Sequence, residues 1–193
     1  MSAKKITAKK TTKKRTAKKT VEGKEKRAVE PRISKVTVNI GVGEAGEKLK
    51  KAESVLEGVA KQKPVQTISK TTSKDWGIRK LMPLGCKVTL RKKAAETFLK
   101  SALKIRENRM SGYSFDDQGN FSFGIPDHTL FEGQKYDPNI GIFGMDICVT
   151  IERLGYRVKR RRIDRRGIPQ SHQVTKEETI EFIKKAFNVE VVE

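Results

Sequence analysis

The sequence has few acids, few metal-binding side chains and no long apolar run. Asp and Glu number 23 against 43 Lys and Arg, so the 193 residues carry a formal net charge of +20 at pH 7. Such an excess favours a polyanion as partner and disfavours a neutral metabolic enzyme. No apolar stretch approaches the roughly 20 residues of a membrane helix. The basic N-terminus lacks the apolar segment of a secretory signal and, being Lys-rich rather than Arg-rich, is unlike a mitochondrial transit peptide.

Cysteine and histidine are also scarce, with two residues of each type. Cys86 and Cys148 lie far apart in apolar runs, and His128 and His172 are isolated. This spacing does not match a disulfide framework or a zinc site, so we expect two buried free thiols. No catalytic constellation is visible either. We therefore predict that the chain is not an enzyme and has no metal or cofactor.

The positive charge divides the chain into two parts. Residues 1–27 contain twelve bases and only two acids, and this density of like charge predicts a disordered N-terminal extension. Such an arm would either order along phosphates or serve only as a solubilising tail. Residues 28–193 have the apolar content of a normal core, which predicts a single globular domain.

Hydrophobic periodicity predicts an α+β fold. Residues with period-2 alternation indicate strands, and apolar residues at helical spacing indicate helices. The predicted strands cover residues 33–40, 65–69, 86–91, 121–125 and 143–151, and the helices lie near 47–62, 94–103 and 175–187. The last helix opens with Thr175 and Glu178 at the spacing of a capping box. Clean alternation predicts a mainly antiparallel sheet with helices packed on one face and a polar, basic face on the other.

The predicted polar face is suited to nucleic acid on at least two strands. Its side chains donate hydrogen bonds of the kind that phosphate and sugar oxygens accept. They are Lys35, Thr37 and Asn39 on one strand, with Lys87, Thr89 and Arg91 on or just after another. An ordinary solvated face has a similar composition, so both interpretations remain open.

A glycine turn matches the dinucleotide-binding pattern, but its context does not. Residues 41–46 read Gly-Val-Gly-Glu-Ala-Gly between a strand and a helix. Glu44 would put a carboxylate beside the pyrophosphate, and no acid ends the next strand. A structural turn is the favoured interpretation, and an NADP site, with Lys70 on the 2′-phosphate, is the alternative.

Two further basic segments are candidates for phosphate contact. The loop at 70–84 contains Lys70, Lys74, Arg79 and Lys80 around the only tryptophan, Trp76. We expect Trp76 to fold back onto the core, although an exposed ring would stack on a base. Residues 156–166 hold seven bases and one acid, in a pattern that nucleic-acid-binding segments share with solvated charge runs and nuclear localisation signals.

Several strings in register resemble one family of large-subunit ribosomal proteins, the universal L-five family. They are PRISKV and NIGVGEAG in residues 31–46, GIR at 77–79, GCKVTLR at 85–91, GNFSFGI at 119–125, YDP at 136–138 and GMD at 144–146. The resemblance spans roughly residues 30–187. A basic insertion at 155–172 is similar to the archaeal and eukaryotic members. Residues 1–27 depart from the family pattern.

The resemblance implies a cytoplasmic, ribosome-bound scaffold. Members bind 5S rRNA, help attach it in the central protuberance, approach P-site tRNA and take part in a bridge to the small-subunit head. The implied partners are therefore 5S rRNA, large-subunit rRNA, P-site tRNA and neighbouring ribosomal proteins. The predicted 5S rRNA set is Arg32, Lys35, Thr37, Asn39, Gln62, Lys87, Thr89 and Arg91; the tRNA set is Lys70, Lys74, Arg79 and Lys80. Further RNA contacts are predicted for Arg157, Lys159, Arg160, Arg161, Arg162, Arg165 and Arg166. A DNA-compacting protein is the rival class.

Overall fold

The computed structural model describes residues 30–192, so the predicted disorder of residues 1–27 lies outside the described residues. Contacts divide the chain into two compact units. Among the described residues, the larger contains 33–151 and 175–192, and the smaller contains 30–32 and 152–174. The smaller unit thus includes the whole of the predicted insertion at 155–172. The prediction of one domain over residues 28–193 stays a prediction.

A five-stranded sheet forms the centre of the larger unit, in the order β2-β3-β1-β6-β5. Its strands are β1 (Arg32–Gly41), β2 (Val65–Ile68), β3 (Pro83–Leu90), β5 (Phe121–Ile125) and β6 (Met145–Glu152). The pairs β1–β3, β2–β3 and β5–β6 are antiparallel. A separate parallel pair joins β4 (Arg109–Ser111) to β7 (Glu190–Val192). Three-residue strands have too few alternations to be recognised in a sequence, and neither was predicted.

Four α-helices occur in the described residues: α1 (Glu47–Ala60), α2 (Lys92–Ile105), α3 (Arg157–Arg160) and α4 (Lys176–Phe187). The predicted capping box begins α4: Glu178 N donates to Thr175 Oγ1, and Thr175 N donates to Glu178 Oε2. These bonds satisfy two backbone donors that a helix start otherwise leaves unpaired. The α+β class with helices on one face of a mainly antiparallel sheet is confirmed.

The core follows the period-2 pattern of the strands. Residues on one face of β1, β3, β5 and β6 are buried against the apolar stripes of the helices. They are Val36, Val38, Ile40, Cys86, Val88, Leu90, Phe121, Phe123, Ile125, Met145, Ile147, Val149 and Ile151. Cys86 is buried as predicted, but the expectation of a buried Cys148 is wrong. Cys148 lies between Ile147 and Val149, so the alternation of side chains turns its thiol to the exposed face.

Gly85 marks a close approach between β1 and β3. It is the register partner of Gly41. A Cβ at position 85 would lie 2.6 Å from the backbone oxygen of Ile40. That separation is shorter than real Cβ contacts, so this position requires glycine.

The smaller unit is held by hydrogen bonds between the start of the insertion and its end. The buried Arg153 donates from Nη1 to the backbone oxygens of Ser171 and Gln173, at 3.3 Å each. His172 Nε2 lies 2.8 Å from Leu154 O, and Val174 N donates to the Tyr156 hydroxyl. These bonds tie both ends of the insertion together around α3.

Candidate nucleic-acid interface

The predicted basic face exists on β1 and β3. The antiparallel register pairs Thr37 with Thr89 and Asn39 with Lys87. Lys87 is exposed, and the other three side chains are half-buried. On its other side Lys87 pairs with Val65 of β2, whose side chain is 62% exposed. Ammonium, hydroxyl and amide groups thus lie side by side on a surface that presents several hydrogen-bond donors to one ligand.

The same face changes character on β6 and β5. Cys148 pairs with Ser122, and Asp146 pairs with Gly124. All four residues are exposed. This half presents small side chains and the exposed carboxylate of Asp146, which repels phosphate. The carboxylate of Glu152, at the end of β6 on the same face, is ion-paired with Arg160. The polar face is therefore divided, with cations on the β3–β1 half and an acid on the β6–β5 half.

Three of the predicted 5S rRNA residues lie at the margins of this face or outside it. Arg32 is exposed at the first residue of β1, and Arg91 is exposed directly after β3, where it is the N-cap of α2. Gln62 lies on no strand. It is exposed in the connection from α1 to β2 and lines a cavity of about 420 Å³ together with residues of α1 and α2, on the helix side of the sheet. The remaining predicted residues, including Lys35, share the polar face.

The predicted tRNA loop is an ordered hairpin. Ser73 N donates to Ile78 O and Ile78 N donates to Ser73 O, at 2.9 Å each. At its base Ser69 N donates to Met82 O, and Leu81 N donates to Ser69 O. The cations Lys70, Lys74, Arg79 and Lys80 are all exposed on this frame.

The expectation that Trp76 folds back onto the core is wrong. Its side chain is 79% exposed at the tip of the hairpin, next to Gly77 with φ +64°. Backbone hydrogen bonds between Ser73 and Ile78 close the turn of residues 74–77, so the loop does not depend on burial of the indole. The half-buried apolar side chain of this loop is that of Ile78. The indole is consequently free to stack on a ligand.

The seven bases of residues 156–166 divide into paired and unpaired sets. Arg160 forms an ion pair with Glu152, and both Arg161 and Arg166 contact Asp164. Among residues 30–192, no ion-pair partner lies within 4 Å of Arg157, Lys159, Arg162 or Arg165, and all four are exposed. Sequence reasoning missed the role of Asp164, because it treated this residue only as one offsetting charge.

The glycine turn is structural. Val42 N and Gly43 N both donate to Leu84 O, so the turn binds the start of β3. β3 lies between β1 and β2 and is antiparallel to both, whereas a dinucleotide site requires a parallel βαβ unit. Glu44 forms an ion pair with Lys48 at 2.8 Å.

Little in the described residues resembles a reactive centre. Burial, followed by the charge of Glu53, raises the pKa of the Cys86 thiol to about 11, which suppresses the nucleophilic thiolate. No group of three or more His, Cys, Asp or Glu residues within 30–192 is placed to hold a metal ion. In the same range, no helix combines the length and apolarity needed to span a membrane.

Comparison with protein families agrees with this architecture. A family model described as ribosomal protein L5 matches residues 28–79, and a second, for the C-terminus of the same ribosomal family, matches residues 83–189. The chain belongs to the ribosomal protein L5 family. The match includes both basic strands, most of the hairpin and the whole of residues 155–172.

Curated relatives with the name large ribosomal subunit protein uL5 are similar over most of the chain. One from Methanococcus maripaludis is 55% identical over 166 residues, which is 84% of this chain and 92% of that protein. One from Methanococcus aeolicus is 52% identical over 174 residues, covering 88% and 96%. One from Methanosphaera stadtmanae is 50% identical over 162 residues, covering 84% and 96%. These three are archaeal proteins, which agrees with the archaeal and eukaryotic type inferred from the insertion.

Proposed function

We propose that the chain is a structural, non-catalytic protein of the large ribosomal subunit in the cytoplasm, and that it binds 5S rRNA through the β3–β1 half of its sheet. The observation that carries this proposal is the register that aligns Asn39 with Lys87 and Thr37 with Thr89 on one polar surface, with Lys87 exposed at its centre. Family membership supplies the ribosomal context. By attaching 5S rRNA, the protein would help to fix it in the central protuberance.

The division of the polar face limits the proposed footprint. Phosphates would contact Lys87 and the cations Lys35 and Arg91 near it, while hydroxyl and amide groups would bind sugar oxygens. Asp146 on β6 would repel phosphates, so the RNA covers β3 and β1 and ends before β6. Gln62 is outside this surface and would contact 5S rRNA only where the RNA extends past the edge at β2.

The hairpin at 69–82 is proposed to contact P-site tRNA. Its four cations would hold phosphates, and the exposed indole of Trp76 would stack on a base or ribose. A hydrogen-bonded frame reduces the ordering cost of binding, since the loop is already held in one conformation before it meets a ligand. The proposed bridge to the small-subunit head rests on the family alone.

The insertion is proposed to bind large-subunit rRNA through its unpaired bases. Arg157, Lys159, Arg162 and Arg165 would be the first to contact phosphates, since their charges are not neutralised within the described residues. Arg160, Arg161 and Arg166 would contribute less, because each already contacts a carboxylate.

The test is a filter-binding comparison of 5S rRNA, duplex DNA and an unrelated RNA of equal length at 50 and 200 mM salt. We expect 5S rRNA to bind more tightly than both competitors at the higher salt, where non-specific phosphate contacts weaken most. Equal affinity for all three would contradict the ribosomal proposal and favour a DNA-compacting protein. A fluorescence change on mixing with NADPH would instead favour the dinucleotide alternative.

A further inference from the structure

Asp164 organises the loop that follows α3. Arg161 donates from Nε to the backbone oxygen of Asp164 at 2.7 Å and from Nη2 to its carboxylate at 2.9 Å. Arg166 Nε donates to the other carboxylate oxygen at 3.1 Å. Asp164 has φ +53°, a left-handed conformation that Asp tolerates better than most residues. One carboxylate therefore fixes two arginines and closes the turn between them.

The turn leaves an isoleucine exposed between cations. Ile163 is 82% exposed, and Arg162 and Arg165 are exposed on either side of it in the chain. A single exposed apolar side chain is ordinary by itself. Here, however, it stands on a closed turn within a segment of seven bases, and the two arginines beside it have no ion-pair partner in the described part of the chain.

We propose that residues 161–166 form a preformed RNA-binding turn in which Ile163 packs against an unpaired base while Arg162 and Arg165 bind the flanking phosphates. This inference rests on the proposed binding of the insertion to rRNA. Its new content is the apolar contact and the positioning role of Asp164.

The chemistry of the turn favours single-stranded RNA over other partners. Guanidinium groups bind phosphate oxygens bidentately, and two exposed ones close together in the chain are unsuited to an apolar protein surface. The face of a base is available to an aliphatic side chain only where the base is unstacked, since paired A-form helices conceal base faces. A bulge or internal loop supplies both an accessible base and phosphates on each side of it.

The role of Asp164 can be separated from simple charge. Electrostatics alone predicts that Asp164→Asn, which removes one negative charge, strengthens binding. If Asp164 instead holds the turn, the same change frees Arg161 and Arg166, raises the ordering cost and weakens binding. Glu181→Gln on α4 is the matched control, because Glu181 is also an exposed acid in an ion pair, with Lys185, and its replacement removes the same negative charge.

The experiment measures binding of the full chain to deproteinised large-subunit rRNA from Methanococcus maripaludis between 50 and 200 mM salt. The variants are Ile163→Ala, Arg162→Gln, Asp164→Asn and Glu181→Gln, each checked for an unchanged thermal unfolding midpoint. We expect Ile163→Ala to weaken binding about three- to tenfold at every salt concentration, because an apolar contact releases no counterions. Arg162→Gln should reduce the slope of log K against log salt by about 0.7–0.9. Asp164→Asn should weaken binding, and Glu181→Gln should not.

The outcomes separate this inference from the proposed function. If Ile163→Ala binds rRNA as tightly as the wild type and Arg162→Gln reduces the salt slope, the proposed base contact is wrong. Binding of the insertion to rRNA phosphates would then still stand. Unchanged binding by both variants would contradict the proposed function of the insertion as well. Tighter binding by Asp164→Asn would refute its positioning role. If Ile163→Ala impairs assembly into subunits with unchanged rRNA affinity, a protein contacts the turn and the inference is wrong.

Discussion

Replacing Lys87 by Gln tests whether the β3–β1 half of the sheet is the RNA platform. Lys87 is exposed, and its register partners are Asn39 on one side and Val65 on the other, so the change removes charge from the middle of the surface without altering the core. Asp146→Asn is the counterpart on the other half. The strand order puts β1 between β3 and β6, so these side chains lie at least two strand spacings apart, about 10 Å.

The expected magnitudes follow from counterion release. One neutralised phosphate contributes a slope of about −0.7 to −0.9 to log K against log salt. If the contact contributes nothing at 1 M salt, Lys87→Gln weakens 5S rRNA binding about 8- to 15-fold at 50 mM and about 3- to 4-fold at 200 mM. Asp146→Asn changes affinity by less than about twofold, because 10 Å is one Debye length at 0.1 M salt.

The assay is filter binding of 5S rRNA at four or more salt concentrations, with Lys184→Gln on the exposed surface of α4 as a charge-matched control. Lys87→Gln and Lys184→Gln must differ both in affinity and in slope. If the two variants have the same affinity and the same slope, the exposed face of β3 is not the RNA-binding surface. A large gain for Asp146→Asn would mean that the RNA extends across β6, which contradicts the divided face.

Three further predictions test the hairpin, the strand contact and the buried thiol. Trp76→Ala should weaken binding of a fluorescently labelled tRNA by about 1–3 kcal/mol in a titration and leave 5S rRNA affinity unchanged. Loss of both affinities would argue against a separate tRNA site. Gly85→Ala should lower the free energy of unfolding by about 1–3 kcal/mol in urea titrations, whereas Gly41→Ala, with no atom within 4 Å of its added Cβ, should have a small effect. The raised pKa of Cys86 means that the unfolded thiol ionises first, near its usual value of 9.0, so stability should fall between pH 9 and pH 11. Cys86→Ala should abolish the part of this loss of stability that comes from Cys86. In a separate experiment on the folded protein, a thiol reagent at pH 8 should label Cys148 alone, and rapid labelling of Cys86 would contradict its burial.

The local elements were predictable because each has its own periodicity. Alternation at Val36, Val38 and Ile40 fixed β1 and its buried face, and Thr175 with Glu178 fixed the start of α4. Period-2 alternation also predicts that Cys148 lies on the opposite face of β6 from Ile147 and Val149, and is therefore exposed. We expected it to be buried because its neighbours in the chain are apolar. The three-residue strands β4 and β7 gave no such signal, because they depend on each other over about 80 residues of chain.

The sequence by itself determined the fold class, the family and the excess of positive charge, since all three are properties of composition and of order along the chain. Only the tertiary structure decided how that charge is used. It put Lys87 beside Asn39 and at least two strands away from Asp146, because strand order and register are set by long-range pairing. It also exposed Trp76 and joined Arg161 and Arg166 through Asp164, because the conformation of a loop depends on hydrogen bonds that close it across several residues.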